Sequence, residues 1–255
     1  MDYLTAIILA AVEGLTEFLP VSSTGHLILA AAILSLQQTS FVKSFELALE
    51  FGSILAVVAL YWKFFLDLEV LKRLIVAFIP TGIIGLLVYR IFKDLLLGNQ
   101  QIVLWTLMLG GIFLILFEWR YKEKSNIEAI GKIPYKHCLL IGLIQAVSVI
   151  PGVSRSAPTI MTGLALGMKR ETIVLFSFLL AVPTMVAASG FDLLNSYSQF
   201  SSGQLDILLV GFVTSFIVAL PALKLFLNFI KKHNFIPFGI YRIIIVVLFY
   251  FLVIL

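Results

Sequence analysis

The sequence predicts an all-α integral membrane protein with six transmembrane helices, two re-entrant helical hairpins and an inverted-topology repeat. Of its 255 residues, 61% are hydrophobic and only 13% are charged, whereas a soluble domain carries about 25% charged residues. Its mean hydropathy is +1.09. With a flanking residue or two, each of five stretches with almost no charge can cross about 30 Å of hydrocarbon. They are Phe45–Trp62, Leu74–Tyr89, Ile102–Phe117, Ile207–Leu220 continuing to Ile230, and Phe238–Leu255. A sixth helix begins near Thr172.

The distribution of basic residues predicts the orientation of these six helices. One side of the membrane receives twelve of the eighteen Lys and Arg residues: Lys63, Lys72, Arg73, Arg120, Lys122, Lys124, Lys132, Lys136, Lys169, Arg170, Lys231 and Lys232. The other side receives Lys43, Arg90 and Lys93. By the positive-inside rule the richer side is cytoplasmic. Residues 1–255 then form a single membrane domain, in which a basic cytoplasmic loop, 120–136, joins the halves 1–119 and 137–255.

Two segments remain outside the six predicted spans. Residues 4–36 must leave from and return to the outer side, and residues 137–168 must do the same on the inner side. Their helical arms are short, since Leu27–Leu36 rises only about 15 Å. Each segment is therefore predicted to be a re-entrant hairpin. Because non-helical backbone at membrane depth is tolerated only where protein or water surrounds it, each hairpin tip should lie in a protected pocket.

The two predicted tips have similar sequences. PVSSTG (Pro20–Gly25) and PGVSRS (Pro151–Ser156) both end a helix with proline and continue into a hydroxyl-rich turn. A second similarity links FGSILAV (Phe51–Val57) with FSFLLAV (Phe176–Val182). Together with entry from opposite faces, these matches predict an inverted repeat whose tips meet near the midplane of the membrane.

Two carboxylates lie in the first hairpin. Glu13 and Glu17 are four residues apart and share one helix face. Two such charges repel each other in a low-dielectric environment unless a cation compensates them. That cation is either a hard metal ion with oxygen ligands or Arg155, the one basic residue assigned to a hairpin core. Either the pair serves a functional site, as intramembrane ionisable residues usually do, or Arg155 merely neutralises the carboxylates.

Both turns also have the composition of an anion-binding site. Hydroxyl groups and glycine before a helix N-terminus offer N–H donors and a positive dipole end to an anion, and arginine can bind phosphate oxygens in a bidentate fork. One hydroxyl of the first turn is expected to serve as an ordinary helix cap. The residues concerned are Ser22, Ser23, Thr24 and Gly25 in the first turn and Gly152, Ser154, Arg155 and Ser156 in the second. With the two carboxylates and His26, a candidate acid, base or phosphate donor, the set indicates phosphoryl chemistry.

At these residues the chain resembles a known family. EGLTEFLPVSSTGH (Glu13–His26) and PGVSRSAPT (Pro151–Thr159) resemble the two signature motifs of the bacterial undecaprenyl-diphosphate phosphatases, also called bacitracin-resistance proteins. FIPFGIYR (Phe235–Arg242) extends the likeness. The resemblance implies a bacterial inner-membrane enzyme that removes the terminal phosphate of undecaprenyl diphosphate, yields the monophosphate carrier for peptidoglycan synthesis and depends on Mg²⁺ or Ca²⁺. Its motif residues match Glu13, Glu17, Ser23, His26, Ser154, Arg155 and Thr159.

The sequence departs from the family pattern at two places. Ala157 and Pro158 replace a pair that more often contains glycine and another small residue. Glu50 stands where the resemblance leads us to expect glutamine. Neither change removes a chemical group, but Glu50 adds a charge near the predicted pocket.

The resulting hypothesis makes Ser23 the nucleophile and His26 its proton partner. Glu13 and Glu17 hold the metal ion or supply a base, and Arg155 binds the diphosphate. A metal-activated water that attacks directly is the competing mechanism. The polyprenyl tail stays in the bilayer, and the pocket opens to the periplasmic or extracellular side.

Other functions make different demands on these residues. A transporter or flippase of a polyprenyl phosphate would use Arg155 but would need no nucleophile. The lipid phosphatases with two catalytic histidines are excluded, because no second histidine follows SRS at a suitable distance. No basic stripe indicates a nucleic-acid partner, and the sequence leaves a homodimer open.

Overall fold

The computed structural model describes residues 1–91, 99–122, 126–196 and 202–254. Lys93 and Lys124, which enter the charge count, lie outside the described residues, as does the side chain of Arg90. Ten α-helices make up most of the described part: α1 (Tyr3–Thr16), α2 (Ser23–Ile33), α3 (Ser40–Tyr61), α4 (Leu68–Ile91), α5 (Gln100–Arg120), α6 (Tyr135–Gln145), α7 (Ser156–Ala165), α8 (Arg170–Ser196), α9 (Ser202–Ile230) and α10 (Ile236–Phe249).

Six of these helices, α3, α4, α5, α8, α9 and α10, are long and apolar enough to cross a membrane. The prediction of an all-helical membrane protein with six spans is thus confirmed. The helices extend beyond the predicted bounds at polar ends. For example, α3 begins at Ser40 because Thr39 caps it by accepting the Val42 N–H at 3.3 Å.

Hydrogen bonds gather several predicted cytoplasmic segments at one end of the bundle. Arg73, near the start of α4, donates to the Ile133 carbonyl at 2.7 Å. Arg170, at the start of α8, forms an ion pair with Glu118, near the end of α5. The Phe235 N–H, just before α10, donates to the same Glu118 at 3.2 Å. α4 and α8 also both contact the short helical turn Ile130–Lys132. The starts of α4, α8 and α10 and the end of α5 therefore lie together, as alternation of the six helices requires.

The remaining helices, α1, α2, α6 and α7, have only 14, 11, 11 and 10 residues. Eleven helical residues rise about 16 Å, roughly half of the hydrocarbon thickness. Within each pair, α1 with α2 and α6 with α7, the two helices contact each other. α2 begins at Ser23, four residues before the predicted arm Leu27–Leu36, because the Ser22 hydroxyl caps it.

The two halves of the chain pack against each other. α1 and α3 contact α9, α3 contacts α8, and α5 contacts α10. Phe18, just after α1, packs edge-to-face on Phe178 of α8 with ring centroids 5.2 Å apart. This buried aromatic contact lies beside the turns that follow α1 and precede α7, and so it supports the candidate site.

Candidate active site

Ser22 and Ser154 occupy equivalent places in the two predicted turns. Both have left-handed backbone conformations, with φ of +70° and +78°. The Ser22 hydroxyl accepts the Gly25 N–H at 3.3 Å, and the Ser154 hydroxyl accepts the Ala157 N–H at 3.4 Å. The Ser22 hydroxyl thus caps α2, and the Ser154 hydroxyl makes a corresponding hydrogen bond to the first turn of α7. Such backbone conformations cost about 1–3 kcal/mol and persist where the surrounding structure enforces them.

The two turns meet at Glu17. Its Oε1 accepts from Arg155 Nη2 at 2.9 Å, and its Oε2 accepts from the Ser23 hydroxyl at 2.5 Å. The Glu17 and Arg155 side chains are only 3% and 6% exposed. The structure therefore brings a serine hydroxyl from one turn and a guanidinium from the other to opposite oxygens of one buried carboxylate. Arg155 also donates to the Ser177 carbonyl of α8 at 2.7 Å.

A cavity of about 180 Å³ opens at this junction. Its polar end is formed by Glu17, Ser22, Ser23, Thr24, Glu50, Gly152, Ser154 and Arg155. The Thr24 hydroxyl donates to Glu50 at 2.9 Å, so Glu50 forms part of the wall. The rest of the cavity is largely apolar and runs between α4 and α8. Residues there include Phe78, Gly82, Gly85, Leu86, Met185, Ala187 and Ala188.

The structure does not bring His26 to Ser23. The His26 ring lies with Nδ1 2.7 Å from the Ser22 carbonyl and Nε2 2.9 Å from the Tyr241 hydroxyl. Because a carbonyl only accepts, Nδ1 carries the proton and Nε2 accepts from Tyr241 when the ring is neutral. Both ring nitrogens are thus engaged, and Glu17 takes the position next to the Ser23 hydroxyl that the sequence assigns to His26. The part of His26 in turnover stays a prediction.

Three further predicted substrate-binding residues lie behind the cavity wall. Thr159 is fully buried, and its hydroxyl contacts Gln145 Oε1 at 3.3 Å and the Arg155 carbonyl at 2.9 Å. The Ser156 hydroxyl donates to the Leu19 carbonyl at 3.4 Å and so links the two turns. Gly25 lies against the second turn, where an added Cβ would be 3.5 Å from the Gly152 Cα. These residues hold the turns together rather than line the cavity.

Glu13 differs from Glu17 in its surroundings. Its side chain is fully buried, and neither carboxylate oxygen has a hydrogen-bond donor among the described residues. A buried carboxylate without donors is costly, and it offers the oxygen ligands that Mg²⁺ and Ca²⁺ prefer. Within the described ranges, no three Asp, Glu, His or Cys side chains form a metal-binding group. The residues fit a cation held by one or two carboxylates and completed by phosphate oxygens and water, as is usual for Mg²⁺.

The site also depends on residues that the sequence reasoning did not select. Gln145 donates to Thr81 and Thr184, which line the cavity, at 3.1 and 3.2 Å. Arg242 lies fully buried beside the second turn. An arginine inside a predicted span is a signal in itself, since charged groups at membrane depth are rare. For Gln145 the sequence offers no comparable signal.

Comparisons with known proteins identify the family of this chain. Residues 6–248 match a family model described as bacitracin resistance protein BacA. Three relatives named undecaprenyl-diphosphatase come from Sulfurihydrogenibium sp. (52% identity over 98% of this chain and 99% of the relative), Persephonella marina (51%, 96% and 96%) and Aquifex aeolicus (49%, 94% and 94%). The match covers nearly the whole chain, and this protein belongs to the BacA family of bacitracin resistance proteins.

Proposed function

We propose that this membrane protein hydrolyses undecaprenyl diphosphate to undecaprenyl phosphate and inorganic phosphate. The observation that carries the proposal is the shared carboxylate of Glu17, which holds a serine hydroxyl and an arginine side by side at the polar end of a largely apolar cavity. A nucleophile next to an anion-binding cation suits a phosphoryl group, and the apolar part suits a prenyl chain. The names of the relatives agree with this activity. The product is the lipid carrier for peptidoglycan synthesis, and its recycling accounts for bacitracin resistance.

In the proposed reaction Ser23 Oγ attacks the terminal phosphorus. Its proton passes to Glu17 Oε2, to which the hydroxyl already donates. The bond between that phosphorus and the bridging oxygen breaks, and undecaprenyl phosphate leaves. A water molecule then attacks the phosphorus of the phosphoserine, and the bond between phosphorus and Ser23 Oγ breaks. Glu17 returns its proton to Ser23 Oγ, one proton of the water passes to solvent, and phosphate is released. Arg155 offsets negative charge on the phosphate oxygens.

The proposed cation is Mg²⁺ or Ca²⁺, with Glu13 and Glu17 as its protein ligands. The unpartnered oxygens of Glu13 support this assignment. When bound, such a cation neutralises phosphate charge and makes the phosphorus easier to attack. Glu17 lines the cavity but is already engaged with Ser23 and Arg155, whereas Glu13 lies one helical turn behind it with both oxygens available.

We place the prenyl chain between α4 and α8. Gly82 and Gly85 leave α4 without bulk on this side, and an added Cβ at Gly85 would meet nothing within 4 Å. Ala187 and Ala188 leave the facing part of α8 equally small. The chain leaves through this gap into the bilayer, while the headgroup stays at the polar end.

For the membrane arrangement, we propose that α1 with α2 and α6 with α7 are re-entrant hairpins of an inverted repeat within one domain. The matching backbone of Ser22 and Ser154 supports the repeat. We place the protein in the bacterial inner membrane, with the cavity open to the periplasmic side. α4 and α8 both start at the predicted cytoplasmic end, with Arg73 and Arg170. The residues of these helices that line the cavity come more than one turn after those starts, and so they lie away from the cytoplasmic end.

Phosphate release by the purified protein tests this function. Wild type should release phosphate from undecaprenyl diphosphate and become phosphorylated at Ser23 during turnover. Ser23→Ala should abolish both. Ser53→Ala is the matched control, because the Ser53 hydroxyl in α3 is buried and has no hydrogen-bond partner in the described part of the chain. Residual hydrolysis by Ser23→Ala would favour direct attack by water, and a wild type that moves the lipid without releasing phosphate would favour a transporter.

A further inference from the structure

Arg242 is a buried cation without a buried anion. Its side chain is fully buried in α10, and no carboxylate of the described residues lies within ion-pairing distance. Burying a charge in this way costs several kcal/mol unless hydrogen bonds compensate it. Among the residues that the structure describes, its hydrogen bonds all go to main-chain carbonyls. The guanidinium donates to Leu107 and Thr106 of α5 at 3.2 and 3.0 Å, and to Val153 and Gly152 of the second turn at 3.2 and 2.5 Å.

These bonds fix the direction of the peptide groups in the second turn. A third carbonyl, that of Pro151, accepts from the Thr106 hydroxyl at 2.6 Å. The peptide bonds are trans, so each N–H points opposite to the carbonyl of the preceding residue. Since the Pro151 and Val153 carbonyls face α5 and α10, the N–H groups of Gly152 and Ser154 face away from them. Gly152 and Ser154 line the cavity.

The neighbouring Tyr241 reaches the first turn. Its hydroxyl lies 2.9 Å from His26 Nε2, and the two rings are stacked with centroids 5.5 Å apart. His26 Nδ1 in turn contacts the Ser22 carbonyl at 2.7 Å, directly before the candidate nucleophile Ser23. Two consecutive residues of one helix therefore hold the backbone of both turns.

We propose that Tyr241 and Arg242 are positioning residues, which hold Ser23 and the N–H groups of Gly152 and Ser154 in register around the phosphate. The proposal rests on the proposed phosphatase function. Neither residue lines the cavity, so they act through the turns and not on the substrate.

Gly110 of α5 allows a test that leaves every polar group in place. An added Cβ at Gly110 would clash with Arg242 Nη2 and lie 2.7 Å from its Cζ. Alanine is otherwise the better helix former. Gly110→Ala should therefore displace the guanidinium from the second turn, although helix propensity alone would favour the variant.

The experiment measures phosphate release from undecaprenyl diphosphate and competitive inhibition by pyrophosphate, which reports anion binding at the headgroup site; phosphate released from pyrophosphate alone is measured separately and subtracted. Arg242→Lys and Gly110→Ala should lower kcat/KM about 100-fold, the scale of a misplacement near 1 Å, and should weaken pyrophosphate inhibition. Tyr241→Phe should lower kcat about tenfold, as expected for one lost hydrogen bond.

Three matched variants serve as controls. Arg73→Lys changes another buried arginine that donates to main-chain carbonyls. Gly190→Ala adds a Cβ in open space, and Tyr250→Phe removes a hydroxyl from the helical turn that follows α10. All three should keep wild-type kinetics.

The outcomes separate the two proposals. A wild type without phosphate release, or a fully active Ser23→Ala, overturns the proposed function. The positioning proposal is overturned if the wild type is active and the folded Arg242→Lys and Gly110→Ala variants are as active as their controls. It is also overturned if the controls lose as much activity as the test variants. If Arg242→Lys does not fold, Gly110→Ala and Tyr241→Phe decide, since both keep the guanidinium.

Discussion

The ion pair between Glu17 and Arg155 should show a large coupling free energy in a double-mutant cycle. Arg155→Met leaves Glu17, whose side chain is 3% exposed, buried without its cation. Removing one partner of a buried pair costs about 3–5 kcal/mol, whereas replacing both partners by neutral groups is often close to neutral. At about 2–4 °C per kcal/mol for a chain of this size, Arg155→Met should melt about 6–20 °C below wild type.

Glu17→Gln combined with Arg155→Met should recover most of that loss, because no uncompensated charge remains. The double variant should still release no phosphate, so its stability and activity should separate. Thermal unfolding is measured with a thiol-reactive fluorophore, since the one cysteine of the chain, Cys138, is buried. The control cycle uses Glu69 and Lys72, an ion pair with side chains 53% and 57% exposed. Arg73 stays paired with Glu69 in the wild type and in Lys72→Met, and the coupling between Glu69 and Lys72 is expected to be at most about 1 kcal/mol. If the double variant is no more stable than Arg155→Met, the uncompensated charge of Glu17 is not the cause of the lost stability.

Three further predictions concern turnover. Glu17→Gln should lower kcat about 10²–10⁴-fold, the usual contribution of a general base. His26→Asn should lower kcat only about tenfold, because it removes supporting hydrogen bonds. Equal losses of the two variants in single-turnover assays would contradict this order. Gly85→Phe should raise KM for undecaprenyl diphosphate about tenfold by blocking the apolar gap, and an altered inhibition constant for pyrophosphate would show that the headgroup site had changed instead. Glu13→Gln should raise the Mg²⁺ concentration needed for half-maximal phosphate release, and an unchanged Mg²⁺ titration would remove Glu13 from the metal site.

The transmembrane part of the fold could be predicted because it depends on length and charge alone. A stretch such as Ile102–Phe117 has few alternatives to a spanning helix once about 20 residues of low charge are available. The exact ends could not be predicted, because they depend on local capping. α5 begins at Gln100, where the Asn99 side chain accepts the Ile102 N–H at 3.2 Å, and runs to Arg120.

The candidate site could be predicted in its members more readily than in their contacts. Clustering of polar residues in an apolar chain identifies Glu17, Ser23 and Arg155, since each would be costly at membrane depth without a purpose. The partner of His26 was missed because sequence proximity suggested Ser23, while the observed contact with Tyr241 spans 215 residues. Arg242 was missed as a supporting residue because its partners are main-chain carbonyls, which every residue carries.

Glu13 and Glu17 illustrate why the role of a carboxylate follows from its environment and not from its position in a motif. They lie four residues apart on α1 and at its C-cap, and the sequence gives no reason to distinguish them. Glu17 has both oxygens engaged, one by a hydroxyl and one by a guanidinium. Glu13, one turn earlier, has no hydrogen-bond donor to either oxygen among the described residues. Glu17, which is already bound to Ser23 and Arg155, is suited to accept a proton and to hold the Arg155 guanidinium in place. Glu13, a buried carboxylate without donors, is suited to bind a metal ion. Two identical side chains thus acquire different chemistry because only one of them reaches the opposite turn.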